Sequence, residues 1–177
     1  MRHVRRNRAG ESGTKARGAA PRAVFNIGSD VAGEDYRLFL REASERFPIF
    51  MLVCRYSCAL EIRRELRPLQ LKHYRRSRWP GTVLYQDTAD LIIYRFDKRA
   101  LTVLDRPGSL SHWLHPKYPE DLAFFRADKT CAFGSVTHEG DAYILDADFA
   151  RVLPKRFKLV EETVSESDWK EFYEHSA

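Results

Sequence analysis

Long uninterrupted apolar runs are missing from this chain. The longest, residues 47–54, is broken by Pro48 and falls well short of the roughly 20 apolar residues of an α-helical membrane span. No integral membrane association is expected. Cysteine is scarce: Cys54, Cys58 and Cys131 are an odd number scattered among apolar neighbours, so a disulfide framework is not expected and a reducing, cytoplasmic setting is. Nothing near Met1 resembles a secretory signal. Also lacking are a P-loop, GxGxxG, GxSxG, HExxH or a calcium loop, which removes the usual support for nucleotide-dependent, serine-hydrolase and zinc-protease chemistry and gives no reason to name a cofactor.

What is present suits one domain. The chain has 177 residues, 44% of them hydrophobic, enough for one sizeable core and too few for two ordinary domains. Its net charge of +5 is uneven. Residues 1–22 carry seven basic groups against Glu11 alone, which leaves residues 23–177 with 23 of the 30 basic and 24 of the 25 acidic groups. The high isoelectric point therefore describes an N-terminal arm. Residues 1–33 hold few large apolar side chains and show no period, which reads as a basic disordered arm; a start nearer Val31 would make it an upstream extension. Residues 34–164 form a single domain, and residues 165–177 belong to an acidic tail that from Leu159 on carries six carboxylates against Lys170.

Within the domain, Tyr36, Phe39, Leu40, Ala43 and Phe47 form one helical stripe ended by Pro48. Residues 49–53 are apolar throughout, as in a central strand covered on both faces. Ser57 caps a second helix through Arg67, which Pro68 kinks or restarts through Leu71 and Tyr74. Extended segments follow at 82–85, 91–96 and 101–104, with Asp97-Lys98-Arg99 as a connecting turn. Residues 109–114 suit one or two helical turns, and 146–153 a short helix. The runs 122–126, 131–137 and 142–145 form a three-strand meander, separated by Asp128-Lys129 and Glu139-Gly140-Asp141. This order lacks regular βαβ alternation. It predicts an α+β domain with a mostly antiparallel sheet of about four to six strands and helices on one face.

The most distinctive surface lies between residues 55 and 78, where Arg55, Arg63, Arg64, Arg67, Lys72, Arg75, Arg76 and Arg78 stand against Glu61 and Glu65 alone. Interleaved Tyr56, His73, Tyr74 and Trp79 add aromatic surface, a combination suited to anionic groups. A protein partner is expected on this helical face, with Trp79 among the contacts; a nucleic acid bound by the arm and the same face is the alternative. Catalysis, if present, would fall to His138, Glu139 and Asp141 around a tight turn, where ordinary turn chemistry explains the same residue types. Metal ligation by His112, His115, Cys131 and His138 is not expected, because strand alternation puts Cys131 and His138 on opposite faces.

In Trp79-Pro80-Gly81-Thr82, Tyr118-Pro119-Glu120-Asp121-Leu122 and Ser135-Val136-Thr137-His138-Glu139, the chain resembles an uncharacterised group of small bacterial proteins over about residues 34–153. The resemblance implies a compact bacterial α+β domain and no activity. In general character the chain also resembles immunity proteins and antitoxins. The combined expectation is a non-enzymatic bacterial interaction protein.

Overall fold

A computed structural model describes residues 22–55 and 60–177. Residues 1–21 and 56–59, among them Tyr56, Ser57 and Cys58, lie outside the described residues, as do the expectations placed on them.

The architecture is α+β. Eight strands make one antiparallel sheet, larger than the four to six expected: β1 (Arg22–Ile27), β2 (Ile49–Cys54), β3 (Gln70–Arg76), β6 (Ala89–Arg95), β7 (Glu120–Phe125), β8 (Cys131–Val136), β9 (Asp141–Ile144) and β10 (Leu159–Val164). Their order is β10-β1-β9-β8-β7-β2-β6-β3, and β4 (Arg78–Trp79) and β5 (Thr82–Val83) form a separate small hairpin. The apolar β2 sits between β7 and β6, and β7, β8 and β9 are the expected meander.

Helices α1 (Gly33–Arg46), α2 (Leu60–Leu66), α3 (Lys98–Leu104) and α4 (Ala147–Val152) pack on one face. Phe39 of α1 is fully buried there among the rings of Phe124, Phe133, Phe149 and Phe157. The opposite face carries a smaller core of Met51, Val53, Trp79, Leu91, Ile93 and Phe125. No helix among the described residues is long and apolar enough to cross a membrane.

Four local expectations are corrected. Residues 22–33 are not arm: β1 pairs with both β10 and β9, burying Val24 and packing Phe25 and Ile27 on the helix-side core. The second helix does not continue to Tyr74. It ends at Leu66, Pro68 sits in a single 3-10 turn, and β3 follows, because alternate side chains of 70–76 can pair with β6, and ladder pairing overrides weak local preference. Residues 101–104 are helical, since the Asp97 carboxylate accepts hydrogen bonds from the Arg99 and Ala100 N–H groups and caps α3.

Residues 165–177 are the fourth correction, because they are no free tail. After the single turn α5 (Glu166–Asp168), a π-type turn at Trp169–Tyr173 brings the chain back across the second face. There the Cys131 N–H donates to the His175 carbonyl at 3.0 Å, and Gly81 N–H to the Phe172 carbonyl at 2.8 Å. Gly81 has φ +79, and a Cβ there would lie 2.6 Å from a Val136 methyl, so glycine is required at this crossing.

Candidate partner-binding surface

The basic residues do not share one helical face. Arg63, Arg64 and Arg67 belong to α2 and the turn after it, while Lys72, Arg75 and Arg76 lie on β3, the last strand of the sheet. Arg55 directly follows β2. Trp79 is removed from the contact surface altogether: it is 1% exposed.

Pairing with β6 divides β3 between the two faces. Lys72, Tyr74 and Arg76 stand opposite Ile93, Leu91 and Ala89, residues of the smaller core. His73 and Arg75 stand opposite Ile92 and Asp90. Tyr74 is half-buried and carries the Arg76 guanidinium 4.6 Å and the Lys72 ammonium 5.7 Å from its ring centroid. These contacts hold two flexible cations in place without neutralising them. On the other face His73 meets Asp90 at 3.1 Å, and Arg75 Nε donates to Thr88 Oγ1 at 2.9 Å.

Beside this strand, Arg76, Arg78, Tyr74, Glu174 and His175 line a pocket of about 170 Å³ whose floor is Met51, Trp79, Leu91, Ile93 and Phe125. A more open depression of about 340 Å³, bounded by Arg75, Arg76, Arg78, Thr88 and His175, adjoins it. Burial, and then the Arg78 charge, push the His175 imidazole down to about 4. The ring is therefore neutral at physiological pH, and its buried Nε2 has no hydrogen-bond partner. Among the described residues no carboxylate pairs with Lys72, Arg75, Arg76 or Arg78. The result is a shallow, apolar-floored groove whose rim carries three arginines against one carboxylate, Glu174, which forms no ion pair with them among the described residues; this net positive rim suits an extended acidic segment.

The turn residues considered for catalysis separate. Thr137–Glu139 form a 3-10 turn, His138 and Glu139 are exposed, and their side chains approach only to 3.6 Å. Asp141 lines a different cavity of about 160 Å³ with Ser29, Asp30, Ser111, Ser135 and Thr137. Burial, then Glu139, push its carboxyl up. Asp30 in this cavity is occupied by the Ser109 and Ser111 hydroxyls at 2.9–3.0 Å. The Ser135 hydroxyl donates to the Leu122 carbonyl at 3.1 Å, which engages its proton. As for metal ligands, the His112 ring bonds the Pro107 carbonyl at 2.6 Å and the buried Cys131 thiol donates to the Phe133 carbonyl at 3.3 Å. No metal-ligating cluster of three occurs among the described residues.

Sequence reasoning missed two groups. His175 was assigned to the tail, although Trp169, Phe172 and Tyr173 in an otherwise acidic stretch signal a segment that docks. Asp121 is 1% exposed, at φ +50. It accepts the Trp79 indole N–H at 2.8 Å and the Thr137 backbone N–H at 2.9 Å. Burial pushes its carboxyl up to about 6, against those two hydrogen bonds and the His138 charge. With both oxygens engaged, Asp121 ties Trp79, and with it the groove floor, to the meander. No family model matches this chain, and neither a curated protein nor a solved structure does.

Proposed function

We propose that this is a binding protein, without catalytic activity of its own, that holds an acidic protein partner along β3 and the adjoining groove. The observation that carries this reading is the net positive rim of Arg75, Arg76 and Arg78, with Lys72 on the same strand, beside an apolar floor at a sheet edge that is unpaired among the described residues. An extended chain can add to that edge through main-chain hydrogen bonds while its carboxylates meet the rim. Exposed ion pairs each contribute about 0.2–1 kcal/mol, so the main chain supplies the affinity and the charges set its sign and salt dependence.

A fluorescein-labelled peptide alternating Glu and Val reports this binding by anisotropy. Binding to the full chain is expected to weaken by about tenfold when Arg75, Arg76 and Arg78 are all changed to Glu, and to weaken with added salt. Peptide binding that survives the triple reversal would contradict the reading. Short single- and double-stranded nucleic acids serve as competitors. If they bind far more tightly than the peptide, the basic surface belongs to nucleic-acid recognition instead.

A further inference from the structure

Among the described residues the two ends of the eight-stranded sheet are both open edges, and they carry opposite charge. At one end is β3, with Lys72, Arg75 and Arg76. At the other is β10, with Glu161 and Glu162 exposed and without a basic partner among the described residues. Each edge also exposes a large aliphatic side chain, Leu71 at 52% and Val160 at 53%. Edge strands commonly carry charge to prevent sheets from joining, but one sign on both edges would serve that purpose. Opposite signs repel β3 from β3 and β10 from β10, and leave β3 attractive to β10.

We propose that the chain assembles head to tail, with β10 of one copy adding to β3 of the next. This rests on the binding role given to β3 above and names a second copy of this chain as an occupant of that edge. The topology permits it directly. Every neighbouring pair in the sheet is antiparallel, so across the order β10-β1-β9-β8-β7-β2-β6-β3 the two end strands run in opposite directions. A copy placed alongside in the same orientation therefore meets β3 with an antiparallel β10, and its helices fall on the same face.

The side chains also agree in face. Glu162 stands opposite Val24, and Val160 opposite Asn26, which in turn pairs with Tyr143; Tyr143 touches Tyr173 of the segment crossing the second face. Glu162 and Val160 thus share the face of Lys72, Tyr74 and Arg76. Glu161 is opposite Phe25 on the helix side, the face of His73. One antiparallel register then sets Lys72 against Glu162, His73 against Glu161, and Tyr74 against Val160; beyond the end of β10 it brings Lys158 towards Arg76, a like-charge approach that offsets part of the attraction. Cross-strand pairs of opposite charge each add about 0.2–1 kcal/mol, and like charges directly opposed destabilise by a similar amount. The interface is heterologous, so it propagates into rings or open chains and not into closed two-fold dimers.

Sedimentation velocity on the full chain tests this. At low salt the weight-average mass is expected to rise with concentration, and to fall back when salt is added. A Glu161→Lys/Glu162→Lys variant, with two basic edges, and a Lys72→Glu/Arg75→Glu variant, with two acidic edges, are each expected to associate at least about tenfold more weakly than the unmodified chain. Mixing the two variants restores association, because the basic β3 of the first meets the acidic β10 of the second. An unmodified chain that stays monomeric at all concentrations overturns the assembly, as does association unaffected by the Glu161/Glu162 reversal. The binding role of β3 is judged separately, by whether the monomeric chain still takes up the Glu/Val peptide.

Discussion

Replacing Phe39 by Ala is expected to lower the unfolding free energy by about 4 kcal/mol, the usual range for removing a fully buried ring being about 3–5 kcal/mol. The reason lies in where the ring sits. Phe39 projects from α1 into the rings of Phe133 at 5.0 Å, Phe149 at 5.4 Å, Phe124 at 5.9 Å and Phe157 at 6.5 Å. It thereby joins the first helix to the meander, to α4 and to the turn before β10. Four neighbours fixed in four different elements cannot all close on the space left behind. A domain of this size has about 5–15 kcal/mol of total stability, so the variant will retain only part of it. Phe39→Leu keeps an apolar filling and is expected to cost much less. Urea denaturation, read as a shift in midpoint with an unchanged slope, separates the two variants.

The second large effect concerns Asp121 and depends on pH. Its folded carboxyl titrates near 6, against 3.8 for the free group, because burial disfavours the charged form. The folded state therefore binds the proton more tightly than the unfolded state does. Its contribution to stability is full below about pH 4 and is lost as pH rises through about 6, a loss on the order of 3 kcal/mol. This is the reverse of the behaviour expected for the half-buried Asp35 and Glu65 and the exposed Asp128, carboxyls held low chiefly by hydrogen bonds from Arg156, Arg106 and Thr130 respectively.

Comparison with Asp121→Asn isolates the effect, since the amide does not titrate in this range. The stability of the unmodified chain, measured relative to that variant, should decline between about pH 4 and about pH 6 and level off above. A relative increase over the same window would contradict the assignment. Asp121→Ala leaves the Trp79 and Thr137 donors buried without an acceptor, at about 1–3 kcal/mol each. At acid pH, where no carboxylate charge is removed in exchange, its cost should be about 3 kcal/mol.

The parts of the fold legible in the sequence were those in which neighbouring residues carry the whole signal. Tyr36, Phe39, Leu40 and Ala43 are all buried on α1, as their spacing requires, and β2 is buried at five of six positions. The turns at Asp128-Lys129 and at residues 139–141 join the strands they were expected to join. What escaped depends on partners distant in sequence. Val24, Phe25 and Ile27 look isolated in a basic stretch, and only pairing with β10 and β9 makes them a strand. Lys72, His73 and Tyr74 follow a helix without a decisive break, and only the ladder with β6 draws them out.

The candidate surface shows the same division. Composition located its charge, because the excess of Arg between residues 55 and 78 needs no structure to be seen. Composition could not divide that charge between a helix and a sheet edge, nor show that Trp79 turns inward to Asp121 at 2.8 Å. It also gave no sign that His175, roughly 100 residues away, closes the groove beside Arg76 and Arg78.

Hydrogen exchange along β3 tests the central claim most directly, because it reads the edge itself and not merely the affinity. The outward-pointing amides of Gln70–Arg76 have no partner strand among the described residues and should exchange quickly. Adding a saturating alternating Glu/Val peptide should slow them, with little change in α2. Protection confined to α2, or rapid exchange along β3 with the peptide bound, would contradict the assignment of β3 as the surface on which this protein takes up an acidic partner.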